Sequence, residues 1–367
     1  MGQRVDIADH RTPLIRNAWY VAAFSEELGN GDVVSRVILG TRTVLYRKED
    51  GSIAAMDDRC PHRSLPFSKG RREGDTLVCG YHGMTFDSDG RCVRIPSQSA
   101  VPSSVRVRTY PVIERRPFVW IWTGDTESAD TSLLPDIPWF DDPGYEHISG
   151  YMHSGCNYAR LHENLLDLTH VPFVHDGGFG AQDFDQVDYR HYRDGSRVGV
   201  VVREDDVDPS IMPGVFDPDH RVSRVTDWYC HVPSVNIGLV TAQDEVLPPG
   251  ERVAHTTLIH ALTPSSRTGT HYFWVVSMDT NLGNRELQEA MRSQFGVIFG
   301  QDKTLLEKVE EVWAENEDFR EISVGADKSG ILVRRILADM AEAEQQRASE
   351  EPLGGADAHK QEAETLA

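Results

Sequence analysis

Two short segments of this 367-residue chain each pair a cysteine with a histidine: Cys60-Pro-His62 and, sixteen residues further on, Cys79-Gly-Tyr-His82. Thiolate and imidazole groups are common ligands of zinc and of iron. Four such ligands on two neighbouring loops can converge on one small volume, which indicates a metal site. The set fits either a structural zinc ion or a two-iron cluster.

The order of the ligands helps to separate these two interpretations. A zinc finger usually presents two cysteines and then two histidines, whereas here each segment supplies one of each. In a Rieske-type [2Fe-2S] cluster, two thiolates hold one iron and two imidazoles hold the other, so each loop can contribute one cysteine and one histidine. The sequence therefore favours the two-iron cluster, with Tyr81 or Leu65 expected to shield it from water.

A second histidine-containing segment runs from Glu163 to His175 and includes Asp167 and His170. The two C-terminal histidines are five residues apart, so they can face one ion only where a helix ends or distorts between them. Pro172 is expected to supply that break. Asp167 lies three residues before His170 and is expected to fix its imidazole. Two imidazoles and one carboxylate form the ligand set of a mononuclear iron(II) site with positions open for dioxygen.

The carboxylate ligand of such a site must come from elsewhere in the chain. We expect it to be Asp302, in Gly300-Gln-Asp302-Lys, on an amphipathic helix for which Asn284 is the candidate N-cap. By itself, an aspartate on a helix is far more often exposed to solvent. His162 is a weaker candidate ligand, and a structural role is expected for it.

Composition limits the remaining functions. The formal net charge of −21 disfavours nucleic-acid binding. The sequence has no apolar run long enough to span a bilayer and no secretory signal at its start, so a cytoplasmic protein is expected. An odd number of cysteines, five, disfavours a disulfide framework. Around the cluster loops, five basic residues form either a solvated loop or a docking surface for an acidic electron carrier: Arg59, Arg63, Lys69, Arg71 and Arg72.

Short strand patterns with Asp-Gly turns predict an all-β domain around the cysteine and histidine loops. Five more strand patterns lie at residues 197–203, 225–232, 235–240, 256–262 and 271–277. They are followed by a helical pattern from Asn284 to Trp313, so a mixed domain is predicted. The fold class is therefore α+β. The expected divisions are an N-terminal segment packed on the second domain (1–35), the all-β domain (36–125), a linker (126–146), the mixed domain (147–345) with a lid at 176–185, and a disordered tail (346–367).

The two cysteine and histidine segments resemble the cluster motif of the Rieske non-heme iron oxygenases. The segment from Glu163 to His175 is similar to that family's Glu-x3-Asp-x2-His-x4-His motif, and Asp302 lies in a matching Gln-Asp-Lys context. The resemblance implies a catalytic domain with a helix-grip-like antiparallel sheet flanked by helices. It also implies the metal ligands, which are Cys60, His62, Cys79 and His82 for the [2Fe-2S] cluster and His170, His175 and Asp302 for the mononuclear iron.

Segments over most of the chain, from Arg16-Asn-Ala-Trp-Tyr to Gln301-Asp-Lys, resemble the vanillate and dicamba O-demethylase branch of that family. This implies a terminal oxygenase that uses dioxygen and takes electrons from NAD(P)H through a separate reductase, with or without a ferredoxin. Its expected reaction is O-demethylation of a small aromatic, carboxylated compound. The resemblance further implies a homotrimer in which electrons pass from the cluster at His82 of one subunit to the iron at His170 of the next. Asp167 would bridge these two histidines and is the catalytic residue expected to gate the electron transfer.

Several alternatives remain open at this stage. Within the family they are N-dealkylation and hydroxylation of a ring or methyl group, and in a different class a Rieske electron carrier without catalysis. The resemblance implies that Asn236 and His260 bind a substrate carboxylate. Ser293 stands where a relative has a substrate-anchoring tryptophan, which predicts a larger or differently shaped pocket.

Overall fold

The computed structural model describes residues 7–29, 31–175, 187–209, 215–316, 319 and 321–350. The N-terminal part consists of short antiparallel strands joined by tight turns, as predicted. The strands are β1 (Trp19–Phe24), β2 (Val33–Ile38), β3 (Thr41–Arg47), β4 (Ile53–Asp57), β5 (Arg71–Glu73), β6 (Thr76–Val78), β7 (Thr85–Phe86), β8 (Cys92–Arg94), β9 (Val112–Arg115) and β10 (Phe118–Trp122).

These strands form three small sheets, with the orders β2-β3-β4, β5-β6-β7-β8 and β1-β10-β9. The first two sheets share an apolar core that includes Tyr46, Phe67 and Phe86. Cys60 and Cys79 belong to the same core. Apolar packing therefore anchors both cysteine loops to the sheets.

The structure differs from the boundary predicted at residue 36. β1 lies before that boundary, yet it pairs with β10 from Trp19 opposite Trp122 to Phe24 opposite Phe118. All six residues of β1 are buried, because the strand is apolar on both faces. The N-terminal segment thus completes a sheet of the all-β domain.

The C-terminal part contains a seven-stranded antiparallel sheet with the order β11-β17-β16-β15-β14-β13-β12. The five strand patterns predicted between residues 197 and 277 are confirmed as β13 to β17, whereas β11 and β12 were not predicted. Both are edge strands, which carry more polar residues than central strands and so give a weaker pattern. The ranges are β11 (Glu146–Ser154), β12 (Asp188–Asp194), β13 (Arg197–Val207), β14 (Val222–His231), β15 (Val235–Asp244), β16 (Val253–Ser266) and β17 (Gly269–Met278).

Helices cover one face of this sheet, and β1 and β10 pack against the other. Leu161, Phe299 and Val333, from three different helices, share a core with the helix-facing side chains of the sheet. The α+β class is thereby confirmed, as is Asn284 as an N-cap, since its Oδ1 accepts a hydrogen bond from Leu287 N at 3.1 Å. The helices are α1 (Tyr158–Leu166), α2 (Val171–Val174), α3 (Arg285–Glu315) and α4 (Lys328–Glu350).

Three short 3-10 turns occupy the predicted linker between β10 and β11. α4 continues to Glu350, so the first five residues of the predicted tail are helical. The rest of that tail and the predicted lid at 176–185 lie outside the described residues. No helix of the described ranges has both the length and the apolar character needed to cross a membrane.

We expect Gly150→Ala to destabilise the fold. A Cβ at this position on β11 would lie 2.2 Å from the ring of Trp274 on the paired strand β17. Such overpacking costs about 1–3 kcal/mol of unfolding free energy, measurable by denaturant unfolding. Gly296→Ala in α3 is the control, because its Cβ meets open space and alanine favours a helix. Equal unfolding free energies for Gly150→Ala and the wild type would contradict this account.

Candidate active site

The first predicted site lies on two loops of the all-β domain. One loop follows β4 and is closed by a hydrogen bond from Ser64 N to Cys60 O at 2.9 Å. The other joins β6 to β7 and is closed by a bond from Gly83 N to Cys79 O at 3.0 Å. Gly83 has a φ of 70°, a left-handed conformation that glycine adopts without strain. Each loop is therefore a tight turn that presents one cysteine and one histidine.

The four predicted cluster ligands meet between these loops. Cys60 and Cys79 are both buried in the same apolar core. The exposed rings of His62 and His82 lie 4.6 Å apart between centroids, and Tyr81 stacks on His82 at 3.9 Å. Burial raises the pKa of the Cys60 thiol to about 11, so bound iron would be needed to keep it as a thiolate at neutral pH. Two buried thiols beside two imidazoles fit a Rieske-type [2Fe-2S] cluster.

The basic residues predicted to form a docking surface differ in their environment. The guanidinium of Arg72 lies 5.8 Å from the ring centroid of Tyr46, and its side chain is only 13% exposed. Arg71 is exposed but forms an ion pair with Glu73 at 2.7 Å. An acidic partner can therefore reach four of the five predicted residues, which are Arg59, Arg63, Lys69 and Arg71.

The second predicted site combines two histidines at the ends of α2 with an aspartate on α3. The Nε2 atoms of His170 and His175 each lie 3.4 Å from Oδ1 of Asp302, and the three ligand atoms lie within 4.8 Å of one another. Burial lowers the pKa of His170, but the Asp302 carboxylate outweighs this effect and raises it. Oδ1 of Asp302 is buried and makes no hydrogen bond within the described ranges. This donor set fits a mononuclear iron(II) ion.

Carbonyl oxygens fix the orientation of both imidazoles. Nδ1 of His170 donates to the backbone carbonyl of Asp167, and Nδ1 of His175 donates to Oε1 of Gln301 at 3.1 Å. A carbonyl oxygen can only accept, so each Nδ1 carries a proton, and Nε2, which faces Asp302, is the nitrogen of each ring that can bind a metal ion. The predicted contact between Asp167 and His170 is present, but the backbone makes it rather than the carboxylate.

The chain breaks that bring the histidines together differ from the predicted one. α1 ends where Asp167 leaves helical geometry, with φ −110° and ψ 92°, and its Oδ1 accepts a hydrogen bond from Thr169 N at 2.9 Å. α2 ends before His175, which is extended at φ −102° and ψ 108°. Pro172 lies in the first turn of α2, where a helix tolerates a missing N–H. The two helix ends, and not the proline, turn both imidazoles to one point.

A buried ion pair connects the helices that position these ligands. Nε of Arg160 in α1 lies 3.1 Å from Oε2 of Glu310 in α3, and the two side chains are 9% and 8% exposed. Nη1 of Arg160 contacts Glu321 at 3.0 Å. Glu310 follows Asp302 by about two helical turns. The pair therefore holds α3 at a fixed distance from the histidine segment.

A largely apolar cavity of about 290 Å³ lies between the helices and the sheet, and the three ligands form part of its wall. This volume is close to the lower end of the range for small-molecule sites, roughly 300–1,000 Å³. The site thus suits a small, mainly apolar compound. Its lining includes Leu165, Leu168, Met291, Phe295 and Phe299 from the helical side and Val202, Trp228, Val240 and Leu258 from the sheet.

Ser293 does not line the cavity, contrary to the prediction. It is exposed on α3, whereas Ala290, Met291 and Gln294 reach the cavity from the same helix. Because successive residues of a helix are 100° apart, residue 293 lies away from the face formed by these three. Its side chain therefore has no direct effect on the shape of the cavity.

Asn236 and His260 lie beneath the cavity floor rather than on it. Both are fully buried, and the rings of Trp228 and Phe299 cover His260 at centroid distances of 5.3 and 4.9 Å. Burial lowers the pKa of His260 to about 3, so its ring is neutral and cannot attract a carboxylate by charge. In this arrangement, neither residue lines the cavity.

His162 has a structural role, as predicted. Its Nε2 donates to the carbonyl of Pro233 at 3.0 Å, so its Nδ1 accepts from Nδ2 of Asn236 at 2.8 Å. Burial lowers the pKa of His162 to about 4. The neutral ring ties α1 to the turn between β14 and β15 and lies outside the group of three ligands.

Sequence reasoning assigned no role to Gln301 and overlooked the charged side chains of the cavity. Gln301 directly precedes Asp302, and one helical step places it beside His175. Glu204 and Arg224 line the cavity from β13 and β14. The alternation of side chains along a strand could have revealed them. Arg224 and Trp228 are four residues apart on β14, so their side chains point to the same face of the sheet.

Comparisons with known proteins agree with this architecture. Residues 18–111 match the Rieske [2Fe-2S] domain, and residues 154–343 match the vanillate O-demethylase oxygenase C-terminal domain. The oxygenase component of dicamba O-demethylase from Stenotrophomonas maltophilia is 33% identical over 90% of this chain and 98% of its own. The oxygenase component of chloroacetanilide N-alkylformylase from Rhizorhabdus wittichii is 32% identical over 90% and 96%. The crystal structure of dicamba monooxygenase with non-heme iron and dicamba superimposes with a TM-score of 0.80 at 31% identity, covering 91% of this chain and 99% of that one.

The chain therefore belongs to the Rieske non-heme iron oxygenases, in the branch that carries the vanillate O-demethylase type of catalytic domain. It is the oxygenase component of a multi-component monooxygenase system. Its cofactors are a [2Fe-2S] cluster and a non-heme iron, and it uses dioxygen with electrons delivered by a separate reductase.

We expect Gln301→Leu to weaken retention of the mononuclear iron. Leucine cannot accept the proton of His175 Nδ1, so the imidazole loses the contact that orients it. Loss of such a partner typically reduces metal affinity by about ten- to a hundredfold. Iron analysis after dialysis against a chelator measures the effect, while the EPR signal of the reduced cluster should stay unchanged.

Lys303→Gln is the control for this variant. Lys303 lies on the same helical turn, but its Nζ pairs with Glu307 at 2.8 Å, away from the ligands. Equal iron retention by Gln301→Leu and Lys303→Gln would show that the Gln301 contact does not matter for the metal.

Proposed function

We propose that the protein oxidises an alkyl group bound to oxygen or nitrogen on a small aromatic compound, with O-demethylation as the first candidate reaction. One observation carries the proposal: His170, His175 and Asp302 converge at the wall of a largely apolar cavity. A Rieske electron carrier is not favoured, because a carrier needs neither a second metal site nor a cavity. The relatives named as an O-demethylase and an N-alkylformylase support dealkylation.

The proposed roles follow from the donor sets. Cys60, His62, Cys79 and His82 hold the cluster, and His170, His175 and Asp302 hold the mononuclear iron. When bound, the cluster would supply electrons received from the reductase, and the mononuclear iron would supply the open positions at which dioxygen is activated. Gln301 and the Asp167 carbonyl keep both imidazoles turned towards the metal position. Trp228 and Phe299 offer flat apolar surfaces that orient an aromatic ring and exclude water.

Hydroxylation of a methyl group on an ether oxygen gives a hemiacetal, which releases formaldehyde and leaves a phenol. The corresponding N-alkyl substrate gives a carbinolamine, which releases an aldehyde and leaves an amine. Neither release step requires a side chain of its own. The residues of the cavity therefore determine which carbon faces the metal rather than how the product breaks down.

We further propose a homotrimer in which the cluster of one subunit would supply electrons to the iron of its neighbour. The cluster histidines are at the surface, with Tyr81 61% exposed beside them. At the other site, His170 is 18% exposed and Asp167 half-buried. The cluster histidines and the segment with Asp167 and His170 are thus partly accessible, as contact between subunits requires. In the proposed trimer, Asp167 lies between His82 of one chain and His170 of the next.

The remaining partners are proposed on chemical grounds. Electrons come from NAD(P)H through the reductase, with a ferredoxin as a further carrier, and the exposed residues Arg59, Arg63, Lys69 and Arg71 form the docking surface for an acidic partner. A cytoplasmic location is proposed as well, because NAD(P)H is supplied there.

The first test compares the wild type with His170→Ala. We expect about three irons per chain in the wild type and about two in the variant, with the same EPR signal from the reduced cluster. Reduced wild-type enzyme should form a phenol or an amine from at least one compound in a panel of methoxybenzoates and N-alkyl anilides, and the variant should form none. Two irons in both proteins and no product from either would leave only an electron carrier.

The trimer proposal has its own test in Asp167→Asn. Asparagine retains an oxygen that can accept the bond from Thr169, so fold, cluster and iron content should be preserved. Loss of the charge should slow oxidation of the reduced cluster by dioxygen in a single turnover at least tenfold. Light scattering should give the mass of three chains for both proteins. Asp205→Asn, at an exposed residue, is the control, and a monomeric wild type with normal turnover would exclude transfer between subunits.

A further inference from the structure

An ion pair lies on the floor of the cavity, on the sheet side. Glu204 of β13 and Arg224 of β14 are opposite each other in the antiparallel register, and both line the cavity. Nε of Arg224 donates to Oε2 of Glu204 at 2.7 Å, and Nη2 contacts the same oxygen at 2.5 Å. The side chains are only 12% and 9% exposed.

This pair contrasts with the rest of the cavity. Within the described part of the chain, the other charged or titratable side chains of the lining are the three iron ligands and Tyr189. The floor around the pair consists mainly of Val202, Thr226 and Val240. Taking two charges out of water costs free energy, and a buried ion pair often contributes no net stability. Packing alone therefore gives little reason for an arginine at this position.

The geometry leaves most of the guanidinium available to a ligand. Arginine has five N–H donors, and the recorded bonds to Glu204 use Nε and Nη2 on a single carboxylate oxygen. The planar fork of arginine suits bidentate binding of a second oxyanion. Glu204 then acts as a tether that holds the guanidinium in one orientation at the cavity floor.

We propose that Arg224 binds an anionic group of the aromatic substrate, a carboxylate or a sulfonate, and that Glu204 positions the arginine for it. This inference rests on the proposed function, because the ligand is the compound whose alkyl group faces the iron ligands. The anion lies at the sheet floor, while the iron ligands belong to the helical side of the cavity. Arg224 lines the cavity, whereas Asn236 and His260 do not.

The test compares an anionic ligand with a neutral ligand of the same shape. The probes are 4-methoxybenzoate and 4-methoxybenzenesulfonate, with 4-methoxybenzamide as the neutral match. Binding to the oxidised holoenzyme is measured by calorimetry, which requires no turnover. We expect both anions to bind the wild type at least tenfold more tightly than the amide.

Arg224→Gln should remove this preference. The anions should bind about ten- to a hundredfold more weakly, since charge-assisted hydrogen bonds are lost, and the amide should bind as before. Because this variant leaves Glu204 buried without its partner, the double variant Glu204→Gln with Arg224→Gln is measured in parallel. It keeps polar side chains of similar size and should show the same loss of preference.

Arg221→Gln is the matched control. Arg221 pairs with Asp206 near the same ends of β14 and β13, but it is 44% exposed and does not line the cavity. This variant should keep the wild-type preference. Equal binding of anion and amide by the wild type, no binding of either anion at millimolar concentration, or a preserved preference in a folded double variant would overturn the proposal.

Failure of the proposed anion site can be distinguished from failure of the proposed function. If the anions bind through Arg224 but reduced holoenzyme forms no phenol from any methoxy compound, the anion site stands and O-demethylation fails. If methoxy compounds are demethylated with no preference between acid and amide, O-demethylation stands and the role of Arg224 fails.

Discussion

The ion pair between Arg160 and Glu310 joins the two parts of the protein that must meet for a metal site to exist. His170 and His175 follow α1 in the chain, whereas Asp302 comes more than a hundred residues later on α3. With 9% and 8% exposure, the pair is shielded from water, so its geometry is strongly constrained. α3 in turn is tied to the sheet at Glu307, whose carboxylate accepts from Gly155 N at 2.6 Å. The ligand distances therefore depend on contacts made well outside the ligands themselves.

The cluster site was easier to predict from the sequence than the iron site, because its ligands lie closer together in the chain. All four cluster ligands fall within residues 60–82, on loops between short strands, so spacing and ligand type were enough to group them. Asp302 is one helical aspartate among many acidic residues, so its choice as a ligand needed the support of the resemblance to a known family. The chain breaks at Asp167 and His175 were not predicted, because proline is the stronger signal in sequence and the observed breaks depend on local capping and on tertiary contacts.

The cavity was the least predictable feature, because its walls come from six strands, α1, α3 and the segment after α1. The strand patterns were placed at residues 197–203 and 225–232, so Glu204 and Arg224 each fell one residue outside and their inward direction was missed. Gly238 on the neighbouring strand β15 is also needed for the shape of the cavity floor. A Cβ there would lie 2.3 Å from the ring of Trp228, so the missing side chain lets the indole lie flat and form the floor. Asn236 and His260 were located correctly in the sheet, but this indole covers His260 and neither residue lines the cavity.

The distribution of the ligands along the chain also bears on how the enzyme matures. A ribosome finishes residues 60–82 and the strands around them long before α3 is made, and domains generally fold from the N-terminus during synthesis. The cluster site can thus be complete on a nascent chain, whereas the iron site has no carboxylate ligand until Asp302 emerges. Protein that carries the cluster but lacks the mononuclear iron would be coloured and yet show no turnover. Colour alone is therefore a poor measure of active enzyme in any preparation of this protein.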